Sequence, residues 1–588
     1  MYKIIFFLLN LTLFYSFAQD HNANLLIHSH NDYLQPIPFW TALSAGAHVV
    51  EADVFVHNNT LKVAHTKDEI GNLTLIKGYL EPMKVAAQKG YFKEPFVLMI
   101  DVKEQPYKTL KVLLKELKSF KTLTDNKNIQ FLISGKRPKP EDFNAYPAYI
   151  QFDWQELDTP LSPQQLKKVG MVSVGFKEYS VWNGKGRLTH EDEHVVKEVI
   201  IKAKKLGKPF RFWGTPDNKT AWLEFQKIGV EVINTDNPYQ CVAFFKKLAK
   251  HTYHPRPVQK VYQPTFKPDN HKVAAKNIIL MIGDGMGNTQ VSAAALANRG
   301  NLSLTQLKQT GLVKTSSADA LCTDSAAGGT AMATGHKTNN RYIGKSTEAE
   351  NLPSIAEILQ NQQFKTGIIT TDELVGATPA SFYAHQKDRG MQKEIAQDFI
   401  KSELDWTAGG GEKHFKFTNH GGEQFNPERK KKVSVFFSEG GVKAVKEGRG
   451  PLLATTTKDA LSYLSKDSKP FFIMVEAAKI DSYGHGNDIT GVITETLDFD
   501  LAIAEALKFA DSNKETLVII TADHETGGLD IIGGDVATGE IMVDFASDDH
   551  TAAMVPLFAY GPRSGLFSGV YENTEIFHKI LQALKIAN

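Results

Sequence analysis

One serine sits in a setting that could do chemistry. In Cys322-Thr-Asp-Ser-Ala-Ala-Gly-Gly-Thr330, Ser325 is followed by small residues only up to Gly329. A helix beginning there would aim unpaired N–H groups at whatever sits on the hydroxyl, which favours an anion such as phosphate. Ala326, Ala327, Gly328 and Gly329 would let a strand and a substrate come close. Ser325, next to Asp324, could equally be a simple N-cap. The surrounding chain bears on that choice, because buried apolar runs in the second half end in acids and histidines. The run 278–282 ends in Gly283-Asp284-Gly-Met-Gly287. The run 471–475 leads to Glu476, then Asp481 and His485. The run 517–521 leads to Asp523-His524, and His550 precedes the run 555–559. The run 367–370 leads to Gly376-Ala-Thr378-Pro379, with Arg389 beyond it. Buried strands ending in this way place ligands at the carboxyl edge of a sheet, where α/β proteins bind them. Asp481 and His485 are four apart, so one helical turn puts both on one face.

The first half carries a second set. His28 and His30 end one apolar run, and Glu51 and Asp53 lie on the next. His65 follows a hairpin, and Asp101 and Lys103 end a later run. Glu51 and Asp53 are two apart and project to the same face of a strand. Glu51, Asp53 and Asp101 suit a hard cation, Mg²⁺ or Ca²⁺. Two histidines beside that ion suit acid–base work on a phosphodiester. Whether His28 or His30 fills that role is open at this stage, as is whether the set is active.

The His-Ser-His-Asn-Asp-Tyr stretch, Glu-Ala-Asp, His65 and Asp-Val-Lys103 together resemble the glycerophosphodiester phosphodiesterase and phosphatidylinositol phospholipase C-like superfamily. Their order and spacing are similar to its sphingomyelinase D branch. The resemblance implies a cation held by the acidic residues, with two histidines as acid and base and Lys103 beside them. His30 is not followed by Arg-Gly, and His65 is followed by Thr66 instead of Asp. The second half, from Lys276 to Leu584, resembles the alkaline phosphatase family. That resemblance implies a first zinc on Asp481, His485 and His550. It implies a second zinc on Asp284, Asp523, His524 and the Ser325 oxygen. A third, magnesium, site falls to Asp284, Thr378 and Glu476, and Arg389 is the phosphoryl clamp. It further implies that Ser325 becomes phosphoserine before water releases phosphate. Three positions depart from the family pattern. Cys322 replaces an aliphatic residue. Gly376 stands where relatives carry Asp or His, and Ser482 where they carry Lys or His. A sulfatase would show Cys-x-Pro-x-Arg at the nucleophile, and this chain does not.

Two architectures would position these residues. Apolar runs at 25–27, 49–56, 61–64, 96–102, 129–134, 148–153, 171–175, 210–213 and 230–235 read as strands. Helical patterns at 191–206 and 220–227 separate some of them. Such alternation predicts a TIM-like (β/α) barrel at 24–250. An α/β sandwich around a mostly parallel sheet is expected at 273–588. Between them, 251–272 contains Pro255, Pro257, Pro264 and Pro268 and reads as a linker.

At 588 residues the chain is long enough for more than one domain. Its formal net charge of +1 gives no indication of a nucleic-acid partner. Residues 1–18 read as a secretory signal peptide: Lys3, an apolar stretch too short to span a bilayer, then Ser16-Phe17-Ala18. The expectation is therefore export, to the periplasm or outside the cell, with no later membrane span. Cys241 and Cys322 fall in different domains and are expected to be unpaired, small and buried. The basic run Arg429–Lys432 is expected in a surface insertion. The expected function is metal-dependent hydrolysis of phosphate monoesters, with glycerophosphodiesters or lysophospholipids cleaved first in the barrel. The alternatives are a barrel that only binds phosphate or lipid, and a diesterase of the alkaline phosphatase superfamily. A homodimer is compatible with the resemblance.

Overall fold

A computed structural model describes residues 25–415 and 433–587. The expected signal peptide and the basic run Arg429–Lys432 lie outside the described residues. The chain divides into two compact units between Lys247 and Leu248.

The first unit is the expected barrel. Its strands are Leu26–Ser29, Val49–His57, Phe96–Val102, Ile129–Gly135, Ile150–Trp154, Val169–Gly175, Phe210–Trp213 and Val232–Thr235. Each pairs in parallel with its neighbours, and the ring closes where His28 pairs with Val49 and Leu26 with Val232. Thr60–Val63 hangs antiparallel on the second strand. Side chains two apart on a strand share a face. Val49, Met99, Leu132, Met171 and Val232 form one apolar layer inside the ring. Two residues further along, the same faces carry Glu51, Asp101, Ser134, Ser173 and Asn234. An oily layer thus supports a polar one at the carboxyl end, the end where such barrels do chemistry.

The second unit holds a nine-stranded sheet. From one edge the strands are Val433–Phe436, Trp406–Gly410, Lys365–Glu373, Phe471–Ala477, Asn277–Gly283, Thr516–Thr521, Val555–Tyr560, Gln309–Lys314 and Gly569–Glu572. Only Val555–Tyr560 runs against its neighbours. The three central strands are buried along their whole length. That is why they read as unbroken apolar runs.

The stretch 251–272, read from its prolines as a linker, is fastened to the second unit. Thr252–Tyr253 pairs antiparallel with Ile541 and Met542, and Tyr253 is buried. Further on, Tyr262 and Thr265 bond Asp511. Gly561 and Ser564 donate to Asp269. Prolines removed regular structure here without removing side-chain anchors. Cys241 is buried as expected, whereas Cys322 is exposed, and both thiols are free. Cys322 precedes the turn into the serine's helix and has no core to enter.

Candidate active sites

Helix Ser325–Thr334 is built of small residues and is buried throughout. Its N-cap is Asp324, whose side chain accepts from the Ala327 N–H at 3.0 Å. Ser325 is therefore not the cap, and its hydroxyl is left for other work. The Ser325 Oγ lies 3.2 Å from Nε2 of His524. A Cβ on Gly328 would come within 3.1 Å of both the Cβ and the carbonyl of Asp523. Glycine there lets the helix and the ligand-bearing loop touch.

The expected ligands converge in two groups. Nε2 of His485 and Nε2 of His550 are 3.1 Å apart, and Oδ1 of Asp481 lies 3.4 and 3.5 Å from them. Ligand atoms set tetrahedrally at zinc–ligand distances lie about 3.3–3.4 Å from one another. The three atoms already have that spacing. His485 Nδ1 faces the carbonyl of Asp548 at 2.7 Å, and His550 Nδ1 that of Thr323 at 2.8 Å. Those carbonyls hold the proton on Nδ1 and leave the Nε2 lone pairs facing inward. Asp481 is held well below the usual carboxylate range: burial opposes this, but the histidines and Thr526 outweigh it.

The second group surrounds His524 Nε2, with Asp523 Oδ2 at 3.4 Å, Asp284 Oδ1 at 3.5 Å and the Ser325 hydroxyl. Oδ1 of Asp284 and Oδ2 of Asp523 are buried without any hydrogen-bond partner. Burial, then Asp523 and Asp481, lifts Asp284 well above the usual carboxylate range. Such crowding of acceptors fits a cation. Burial also lowers His524, keeping its imidazole neutral and able to ligate. The donor sets in both groups therefore suit zinc.

Glu476 lies deeper. It accepts from the Thr370 hydroxyl, and burial followed by Asp372 pushes it up to about 8. The Thr378 hydroxyl is buried and unpartnered. Arg389 donates to Asp324 Oδ2 at 3.1 Å. Thr526 was not foreseen. Its hydroxyl bonds Asp481 and touches His524 Nδ1, joining the two groups. It lies two residues beyond His524, and that proximity was the available signal.

In the barrel, Glu51, Asp53 and Asp101 also converge. Lys103 Nζ lies 2.6 Å from both Asp53 and Asp101. Oδ1 of Asp53 is buried and unpartnered, an acceptor position that fits a hard cation. Burial and then Glu51 push Asp101 up to about 6. The two histidines near the first strand end separate clearly. His28 is fully buried, bonded to Glu51 at 2.9 Å and to Arg211 at 2.7 Å, and burial followed by Arg211 drives it down to about 4. His30 is partly exposed and bonded to Asp236 at 2.7 Å. Burial opposes its charge, but Asp236 and Glu51 together outweigh burial and raise it. His65 is exposed and bonded to Asp53 at 3.0 Å. The pair that faces solvent is His30 and His65, and His28 is a buried support for Glu51. Arg211, Asn234, Tyr33 and Asp236 were not foreseen as site residues. A charge between aromatic residues in Phe210-Arg-Phe-Trp213 was the one signal for Arg211.

The sheet, its carboxyl-edge ligand groups and the serine between them describe a hydrolase with a candidate two-metal centre. Comparison places the chain in the alkaline phosphatase family, whose model matches residues 275–432, 419–544 and 539–586. Alkaline phosphatase 4 of Bacillus subtilis is 30% identical, across 53% of this chain and 90% of that protein. Streptomycin-6-phosphate phosphatase of Streptomyces griseus is 29% identical, across 53% and 90%. The solved alkaline phosphatase of the Antarctic bacterium TAB5 is 39% identical, with a TM-score of 0.51, over 54% of this chain and 99% of that one. The first unit matches the AIM6-like phosphodiesterase domain at residues 17–94 and the glycerophosphoryl diester phosphodiesterase family at 209–239.

Proposed function

We propose that the second unit hydrolyses phosphate monoesters through a phosphoserine at Ser325. The spacing of Asp481, His485 and His550 carries this reading, supported by family membership. Zinc bound by the two groups would ease loss of the serine and water protons and stabilise the leaving oxygen. Asp284, Asp523 and His524, with Ser325, would hold one ion, and Asp481, His485 and His550 would hold the other. The start of the serine helix adds N–H groups that favour the charged phosphoryl oxygens. Arg389 presents a planar fork of donors that suits two of them. Ser325 Oγ bonds to phosphorus as the alcohol oxygen departs, and water then returns the serine and frees phosphate. Asp284, Thr378 and Glu476 would hold magnesium, and a solved variant of the TAB5 enzyme has magnesium bound in its M3 site.

The barrel cleaves phosphodiesters, on the support of its two family matches and the His30, His65 and acidic geometry. Its cation is Mg²⁺ or Ca²⁺. Glycerophosphodiesters or lysophospholipids are the substrate classes, and the resulting monoester is a substrate for Ser325. The protein is exported, on the pattern of residues 1–18, and sequencing the mature N-terminus tests this: a start near Gln19 is expected. Phosphate release from a glycerophosphodiester tests the serial scheme. Ser325→Ala should accumulate the monoester, and Glu51→Ala should leave the diester intact. Wild-type release rates in Glu51→Ala would make the barrel a binding module.

A further inference from the structure

The residues of the two ligand groups sit on four separate stretches. These are the loop after strand Asn277–Gly283, helix Lys479–His485, the turn after strand Thr516–Thr521, and the short strand His550–Thr551. One buried carboxylate outside both groups ties three of these stretches together. It belongs to Glu525, the residue after His524.

Glu525 pairs antiparallel with Thr551, and Thr526 with His550. Opposite residues in such a pair share a face, and neighbours along each strand alternate. One face of this small ribbon therefore carries Thr526 and His550, beside the ligand atoms. The other face carries Glu525 and Thr551. Glu525 is 5% exposed, and both of its oxygens are engaged. Oε1 accepts from Nε2 of Gln290 at 2.6 Å and from the Leu529 N–H at 3.3 Å. Oε2 accepts from the Thr551 hydroxyl and from the Gly528 N–H at 3.2 Å. Four donors around one carboxylate call for a charged acceptor.

The link to the Asp284 loop is equally direct. Gln290 is buried on helix Asn288–Ala297, which starts immediately after Gly283-Asp284-Gly-Met-Gly287. Its Nε2 also donates to the carbonyl of Thr526 at 2.9 Å. The Thr526 N–H donates to the carbonyl of Gly285 at 3.3 Å. A Cβ on Gly287 would lie 2.4 Å from Cγ of Glu525. Gly287 has φ −77°, open to any residue, so it is the Glu525 side chain that demands glycine there. On the ligand side, the rings of His524 and His550, one from each group, stack with centroids 3.6 Å apart.

We infer that Glu525 is the positioning residue of the two-metal centre. It holds the Asp284 loop, His524 and His550 in one register, and so sets the spacing of the two ion sites. It acts through Gln290, Thr551 and its own neighbours in the chain. The inference rests on the phosphatase reading of the second unit.

The test uses the full-length protein. Both zinc dissociation constants are measured by competition with a chromophoric chelator, and the visible spectrum is recorded after cobalt replaces zinc. Glu525→Ala should weaken both sites by about tenfold to a hundredfold, the usual effect of losing a support behind metal ligands. The cobalt spectrum should shift with it. Thr551→Val removes one bond and keeps the carboxylate, so it keeps the test decisive if Glu525→Ala folds poorly. It should weaken both sites in the same direction, and Thr551→Ser should bind zinc as wild type does. Unchanged constants and spectrum in Glu525→Ala, or a loss confined to one site, would overturn the inference and leave the phosphatase reading standing. A lower melting temperature of the metal-free variant with unchanged zinc affinity would make Glu525 a structural brace only, and would also overturn it. A wild-type protein that binds no zinc would overturn the phosphatase reading and the inference with it.

Discussion

Asp324 and Arg389 are joined at 3.1 Å, through the oxygen of Asp324 that does not cap the serine helix. The other oxygen accepts from the N–H groups of Ala327 and Arg341. One carboxylate therefore fixes both the start of the helix and the place of the guanidinium. Arg389→Ala should raise the phosphate inhibition constant tenfold or more, since a hydrogen bond to a charged group contributes about 1.5–3 kcal/mol. An unchanged constant would remove the clamp role. Asp324→Ala should show the same loss and also lower stability by about 1 kcal/mol, the usual cost of a lost cap.

Ser325→Ala should abolish phosphoserine and nearly all monoesterase turnover. Intact mass after an acid quench with substrate would reveal the phosphorylated chain in wild type. Near-normal turnover in the variant would assign the nucleophile elsewhere.

Exhaustive chelation should inactivate the second unit, and zinc should restore it. The orphaned oxygens of Asp284 and Asp523 would then be buried beside the further negative charges of Asp481 and Glu476, so the metal-free protein should also melt at a lower temperature. Full activity after verified metal loss would contradict the ligand assignment.

In the barrel, His30→Ala and His65→Ala should each remove diesterase turnover while leaving the fold intact. His28→Ala should instead lower stability by several kcal/mol, because it strands Glu51 and Arg211 as buried charges with one fewer partner. Thermal melts alongside turnover separate the two effects. A stable but inactive His28→Ala would reverse the assignment.

Asp511 fastens the 251–272 stretch by accepting from Tyr262, Thr265 and Tyr560. Burial opposes its charge, but these donors outweigh burial and lower its proton affinity. With the folded pKa below the unfolded one, this stabilisation is fully present above the usual carboxylate range. It is lost as pH falls through the folded value. Asp511→Ala should cost about 1–3 kcal/mol at neutral pH, and the gap to wild type should shrink in acid. A gap independent of pH would mean that the carboxylate charge plays no part.

The barrel and the central sheet were legible because their strands are short apolar runs that end in polar residues. The candidate ligands of the second unit stood out in the sequence because Asp284, Asp481, His485, Asp523 and His524 follow such runs and His550 precedes one. Arg211 was not, since its partner His28 is 183 residues away and only the closed ring brings them together. The choice between His28 and His30 depended on burial, which two histidines separated by one serine do not reveal. The anchoring of 251–272 was hidden for a similar reason: Asp511 lies 246 residues from Thr265. Prolines report where regular structure stops, not where the chain is held.

The helix that carries Ser325 has no exposed residue along its length. Its amides have no route to solvent by local fraying, so their hydrogen exchange should be as slow as that of the central strands. The integrity of the Ser325 helix and the fold of the second unit should then be lost together. On heating the metal-loaded protein, activity should persist up to the unfolding transition and vanish with it, with no warm interval of folded but idle enzyme.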